Sequence, residues 1–109
     1  MAYWPRLYEI LVPTKYGDTL QPISTKHHKE WDKLVRKLTG GLTILTPGKG
    51  QWIYEGSLYE EKVIPVRIMC EEKTINKIIF LTLRHYRQKA VMFYQLTDNV
   101  QVVYADQYK

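Results

Sequence analysis

Five of the six glycines in this 109-residue chain lie between positions 40 and 56, in the stretch GGLTILTPGKGQWIYEG, where a lysine stands between two of them. A phosphate-binding loop needs a glycine, four further residues and then Gly-Lys followed by Ser or Thr, placed between a strand and a helix. Here Gly50 follows Gly48 and Lys49, Thr43 occupies the position of the first glycine, and a predicted strand follows. The stretch therefore predicts a helix end and two turns, not a phosphate loop.

The three histidines and the single cysteine are the residues best suited to metal binding or nucleophilic catalysis. His27 and His28 are adjacent, so on a helix their side chains point about 100° apart and do not easily face one ion. His85 falls in a second predicted helix, and no Cys, His or carboxylate spacing matches a recognised zinc site. Cys70 ends an apolar segment and is predicted to be a buried small hydrophobe. These patterns predict no metal site, no cofactor and no catalytic residue.

The elements that must position these residues follow the order β-α-β-β-α-β. A strand is predicted over 8–12, and an amphipathic helix from Ser24 or Thr25 to about Thr39, with its apolar stripe at positions 31, 34, 35 and 38. A hairpin follows, with strands over 42–55, bent at Pro47, and over 58–70. A helix over 71–90, a strand over 91–96 and an edge strand over 100–104 complete the chain.

This element order resembles the ferredoxin-like fold, which implies a single α+β domain over 1–109, with two helices on one face of a four-stranded antiparallel sheet. Pro65 is an exception, because the third strand is central in that fold and a proline there needs a bulge. The pattern GGLT…GxW…G…E is also similar to that of small uncharacterised bacterial or phage proteins of this fold, a resemblance that implies no activity.

The sheet face turned away from the helices is predicted to be apolar, and an exposed patch of this kind usually marks an interface. Alternation along the strands places on it Leu7, Glu9, Leu11, Val63, Pro65, Arg67 and Met69. The face predicts a homodimer that closes into an α+β barrel, with Glu9 and Arg67 as a buried ion pair. The alternative is a dimeric-barrel enzyme, similar to isomerases or oxygenases, in which Glu9 is the base and Arg67 clamps an anion.

Basic residues gather on the outer faces of the two predicted helices, in a chain with 16 Lys and Arg and a net charge of +5. These residues are Lys26, Lys29, Lys33, Arg36, Lys37, Lys73, Lys77, Arg84 and Arg87. They form either a solvated surface or a platform for phosphates, which would bind nucleic acid with little sequence preference. Aromatic side chains that could stack on bases are Tyr3, Trp4, Trp52, Tyr54 and Tyr59.

A net charge of +5 is modest for a dedicated nucleic-acid-binding protein. The first prediction is therefore a non-enzymatic protein that binds or sequesters a phosphate-bearing anion such as a nucleotide. Its site would lie at the dimer seam near Glu9, Arg67, Trp52 and Tyr54. Nucleic-acid binding by the helices and the dimeric-barrel enzyme are the two alternatives. The chain shows no membrane-length apolar run and no signal peptide, so a cytoplasmic location is expected.

Overall fold

The computed structural model describes residues 5–108, so Tyr3 and Trp4 lie outside the described residues. The strands are β1 (Arg6–Pro13), β2 (Thr43–Ile44), β3 (Gly48–Tyr54), β4 (Ser57–Cys70) and β5 (Phe93–Thr97). The helices are α1 (Thr25–Thr39) and α2 (Glu72–His85), and a short 3-10 helix covers Ala105–Tyr108. The predicted α+β class and ferredoxin-like element order are confirmed.

The sheet is antiparallel throughout, with the strand order β2-β4-β1-β5 and with β3 paired to the first half of β4. The sequence predicts one bent strand over 42–55, but the structure divides it into two. Thr43 and Ile44 of β2 pair with Arg67 and Val66, whereas β3 pairs with the part of β4 that runs from Ser57 to Val63. The bend predicted at Pro47 is thus a break between two strands.

Pro65 lies in the central strand β4 without a register shift against β1, where its partner is Leu11. The Pro65 carbonyl accepts a hydrogen bond from the backbone N–H of Leu45 at 2.9 Å. In an antiparallel pair the N–H and C=O of one residue point to the same side, so the missing proline donor faces Leu45 and not β1. Pro65 therefore lies on β4 between the residues that pair with β2 and those that pair with β3. No strand needs its missing N–H, so the expected bulge is not required.

Helix α1 begins and ends as the sequence predicts. The Ser24 hydroxyl accepts a hydrogen bond from the backbone N–H of His27, and Gly40 takes a left-handed conformation with φ of 89° at the other end. Trp31 and Val35 are buried against the sheet, but Leu34 and Leu38 stay 41% and 46% exposed. The predicted apolar stripe is therefore only half used for packing.

The chain after α2 departs from the prediction, because the helix ends at His85 and not near residue 90. Arg87 takes a positive φ of 50°, which turns the chain back towards the loop after β1. There Gly17 packs so closely that a Cβ atom on it would lie 2.3 Å from the Arg87 carbonyl oxygen. The segment over 100–104 is irregular and not an edge strand, and residues 101–104 are exposed.

The molecule is elongated, with extents of 55 × 30 × 27 Å. Its radius of gyration of 15.7 Å exceeds the ~13 Å of a compact chain of this length. The excess comes from β3 and the first half of β4, residues 48–63, which we call the arm. The arm extends the sheet beyond the region that the helices cover, because only the second half of β4 pairs with β1 and β2.

Candidate metal centre and open sheet face

Glu9, Arg67 and Tyr94 form a polar cluster on the sheet face opposite the helices. The strand registers pair Glu9 with Arg67 on one side and with Tyr94 on the other. The Arg67 Nε donates to Glu9 Oε1 at 3.1 Å, and the Tyr94 hydroxyl donates to Glu9 Oε2. Glu9 is 8% exposed, and its hydrogen bond raises the pKa of Tyr94. The structure thus brings Glu9 and Arg67 together and adds Tyr94, which sequence reasoning missed.

Trp52 and Tyr54 do not join this cluster, because they lie on the arm. Trp52 pairs with Tyr59, eight residues along β4 from Arg67, and its ring stacks on that of Tyr59 with centroids 6.2 Å apart. Eight residues of strand span about 26 Å. The four residues predicted to line one nucleotide site are therefore two separate pairs.

The nine basic residues predicted on the helices are all exposed. Eight lie on the helices and one, Arg87, lies beyond the end of α2. Arg87 is engaged locally, since its Nε lies 3.1 Å from Asp18 Oδ2 and its guanidinium lies over the Tyr16 ring at 4.4 Å. The remaining cations occupy the outer faces of amphipathic helices, where solvation alone accounts for them.

A second cluster lies between the two helices, where the rings of His27 on α1 and His85 on α2 stack with centroids 3.7 Å apart and planes 11° from parallel. The Nε2 of each ring lies 2.8 Å from the backbone carbonyl oxygen of the other residue. The His27 Nδ1 lies 3.4 Å from Glu30 Oε2, one helical turn further along α1. One donor atom from each of the three residues lies within 4.8 Å of the others, so the group could hold a metal ion.

Beneath this cluster, a buried network joins the same two helices. The Trp31 indole donates to the Thr82 hydroxyl at 3.0 Å, and Thr82 donates to the Ile78 carbonyl at 2.7 Å. The Tyr86 hydroxyl lies 2.8 Å from His28 Nδ1. Burial lowers the pKa of His28 and raises that of Tyr86. His28 thus takes a position next to His27 but separate from it, with a different partner.

The sequence did not indicate the candidate centre of His27, Glu30 and His85, although part of it was visible there. Residues three apart on a helix lie on one face, so His27 and Glu30 were recognisable as a pair. The third donor lies 58 residues away from His27. Only the packing of α2 against α1 brings it to the pair.

No protein-family model and no curated protein matches this sequence. Solved structures do match, and they define the fold. CutA1 from the psychrotrophic bacterium Shewanella sp. SIB1 has a TM-score of 0.67 at 10% identity, over 98% of this chain and 91% of its own. The divalent cation tolerance protein CutA1 of Thermus thermophilus has a TM-score of 0.66 at 10% identity, over 94% and 90%. The periplasmic divalent cation tolerance protein CutA of Archaeoglobus fulgidus has a TM-score of 0.64 at 10% identity, over 94% and 90%.

These matches confirm a small protein of ferredoxin-like α+β fold and contradict the predicted function. The Thermus thermophilus and Archaeoglobus fulgidus structures are named divalent cation tolerance proteins, and not proteins that bind nucleotides or nucleic acid. Within one chain, Arg67 is paired with Glu9, and Trp52 and Tyr54 lie away from them on the arm. The predicted binding of a nucleotide or of nucleic acid is therefore wrong. The resemblance to uncharacterised bacterial or phage proteins gains no support from sequence comparison.

None of the helices within residues 5–108 is long and apolar enough to cross a membrane. The cytoplasmic location stays a prediction.

Proposed function

We propose that this protein binds a divalent cation. The observation that carries the proposal is the convergence of His27, Glu30 and His85, whose donor atoms lie within 4.8 Å of one another across two helices. Imidazole and carboxylate groups are common protein ligands for divalent metals. Two solved structures that share the fold are named divalent cation tolerance proteins, and those names support the same class of ligand.

The test is a metal titration of protein that has been stripped with EDTA and desalted. Equilibrium dialysis against ZnCl2, NiCl2, CuCl2, MgCl2 or CaCl2, followed by metal analysis, should show one ion retained per chain for at least one of these salts. Thermal unfolding gives an independent readout, because a ligand at 100 times its Kd stabilises the native state by about 2.7 kcal/mol. If none of the five cations is retained and none raises the unfolding temperature, the proposed function is wrong.

We further propose that the protein works as a homo-oligomer, in the simplest case the predicted dimer, formed by the open sheet face and the arm. The arm carries apolar side chains far into solvent, with Ile53 75%, Leu58 62% and Tyr54 60% exposed. At its base an open groove of about 710 Å³ is lined mainly by apolar residues, among them Leu11 and Met92. Apolar surface of this extent is unfavourable in water and is covered when a second copy packs on it.

Light scattering after size exclusion measures the mass in solution, against 13.0 kDa for one chain. We expect a multiple of that mass, and we expect Leu11→Asp or Ile53→Asp to reduce it. Leu34→Asp is the matched control, because Leu34 is an exposed leucine on the helical side of the molecule. A monomer at micromolar concentration, whether or not the arm is altered, contradicts the oligomer.

A further inference from the structure

We infer that the cation is a transition metal of the Zn²⁺, Ni²⁺ and Cu²⁺ class, held by the Nδ1 atoms of His27 and His85 and by the Glu30 carboxylate. The inference rests on the proposed function and names the metal class and the ligand atoms of that site.

The reciprocal contacts between the histidines determine their tautomers. A backbone carbonyl oxygen can only accept, so the Nε2 of His27 and the Nε2 of His85 must each carry a hydrogen and donate it. In a neutral imidazole the other nitrogen, Nδ1, is then left with a free lone pair. Metal-binding histidines in proteins show this arrangement, in which the ring N–H donates to a carbonyl and the second nitrogen binds the ion.

The contact between His27 and Glu30 needs a positive charge. The Nδ1 lone pair of a neutral His27 and the Glu30 Oε2 are both acceptors, and they lie 3.4 Å apart. Two acceptors at that distance repel each other unless a proton on the His27 Nδ1 or a metal cation lies between them. A metal ion there would bind both atoms and gain the third donor from His85, whereas a proton could serve only one pair.

The donor set decides which metals fit. Mg²⁺ and Ca²⁺ prefer sites made of oxygen atoms, with six or more ligands for Ca²⁺. Two imidazole nitrogens and one carboxylate oxygen suit Zn²⁺, Ni²⁺ or Cu²⁺. The Glu30 side chain is 52% exposed. The fourth position therefore faces solvent and would hold water.

The geometry shows what must move when the ion binds. Two ligands 2.0–2.1 Å from a tetrahedral ion lie about 3.4 Å apart, whereas the structure brings one ring nitrogen of each histidine and a carboxylate oxygen of Glu30 only within 4.8 Å of one another. The lone pairs of two nearly parallel rings also do not converge on one point, so the rings of His27 and His85 must tilt out of their stack. These are side-chain rotations at a half-exposed surface, and the helices need not separate. A bound ion would cross-link the start of α1 to the end of α2.

The experiment is long-range ¹H–¹⁵N NMR of the histidine rings in ¹⁵N-labelled protein, with and without one equivalent of ZnCl2. Without metal, the rings of His27 and His85 should both carry their hydrogen on Nε2. With Zn²⁺, the Nδ1 signals of both rings should shift, the Nε2 hydrogens should remain, and His28 should not change. MgCl2 and CaCl2 at the same concentration should leave all three rings unaltered.

Variants locate the site. Glu30→Gln and His85→Gln should weaken Zn²⁺ binding by at least tenfold, since even outer-shell partners cost about 10–100-fold. The matched controls are Asp32→Asn and His28→Gln, which make the same kinds of change next to the site and should alter affinity less than twofold. Glu30 is exposed, so its variant should fold even if His85→Gln does not, and circular dichroism checks both.

The outcomes separate this inference from the function on which it rests. If Zn²⁺ binds but the affinity is unchanged in Glu30→Gln, or if the metal shifts Nε2 and not Nδ1, the inference is overturned while cation binding stands. If Mg²⁺ or Ca²⁺ competes with Zn²⁺ at equal concentration, the metal class is wrong. If no divalent cation binds, both proposals are refuted.

Discussion

The buried hydrogen bond between Trp31 and Thr82 offers a direct test of how the two helices are held together. Trp31 is 1% exposed and Thr82 is fully buried, so neither group can turn to water if its partner is removed. Thr82→Val keeps the shape of the side chain but removes the acceptor of the indole N–H. A buried donor without an acceptor lowers the free energy of unfolding by about 1–3 kcal/mol. In a domain of this size each kcal/mol lost lowers Tm by about 4–8 °C.

The assay is a double-mutant cycle in urea, at one fixed protein concentration because self-association would shift the midpoint. Thr82→Val should lower the free energy of unfolding by about 1–3 kcal/mol in the native background. In a Trp31→Phe background the same change should cost clearly less, because phenylalanine leaves no donor unpaired. Contacting residues show coupling energies of about 0.5–3 kcal/mol.

Thr74→Val is the matched control, since Thr74 lies on the same helix but is less buried. It should change stability by no more than about 0.5 kcal/mol. Equal losses for Thr82→Val in both backgrounds would show that the hydrogen bond contributes nothing specific and would refute the reasoning.

Three further predictions follow from single residues. Gly17→Ala should lower the free energy of unfolding, measured in urea, by about 1–3 kcal/mol, because the new Cβ would lie 2.3 Å from the Arg87 carbonyl oxygen. An unchanged urea midpoint of unfolding contradicts this prediction. Burial raises the pKa of the Cys70 thiol to about 11, so Ellman's reagent at pH 8 should react with it only after unfolding, and rapid reaction of the native protein would refute its burial. Burial also raises the pKa of Glu61 above the ordinary 4.5, so its charged form destabilises the fold at neutral pH. The Glu61→Gln variant should therefore have a higher free energy of unfolding than the native protein at pH 7. This difference should vanish as the pH falls through the raised pKa towards 4.5, where the Glu61 carboxylate becomes protonated. A difference that persists at pH 4 would show that the burial of the charged carboxylate is not its cause.

The elements that depend on local chemistry were predictable from the sequence. Ser24 and Gly40 bound α1 because a hydroxyl satisfies the first free N–H groups and a glycine accepts the left-handed turn. The alternation along β1 correctly placed Glu9 on the face turned away from the helices, and its neighbour Ile10 is fully buried in the core. Counting along two antiparallel strands was enough to pair Glu9 with Arg67. Each of these features depends on a few neighbouring residues or on a two-residue period.

Features that depend on how distant segments meet were not predictable. Tyr94 reaches Glu9 because β5 pairs with β1 across a register irregularity near Leu7, and no local pattern specifies where that shift falls. The split of the predicted strand into β2 and β3 likewise depends on β4, whose two halves have different neighbours.

The candidate metal centre shows this difference between local and tertiary information most clearly. The helical period alone establishes that His27 and His28 point in different directions and that His27 and Glu30 share a face. The stacking of His85 on His27, in contrast, follows only from tertiary packing. The contact requires α2 to end beside the first turn of α1, and that position is set by the burial of residues such as Trp31, Ile78 and Tyr86 in the shared core. Helix periodicity specifies which side chains share a face, but the relative position of two helices depends on the whole core, which is why this site is visible only in three dimensions.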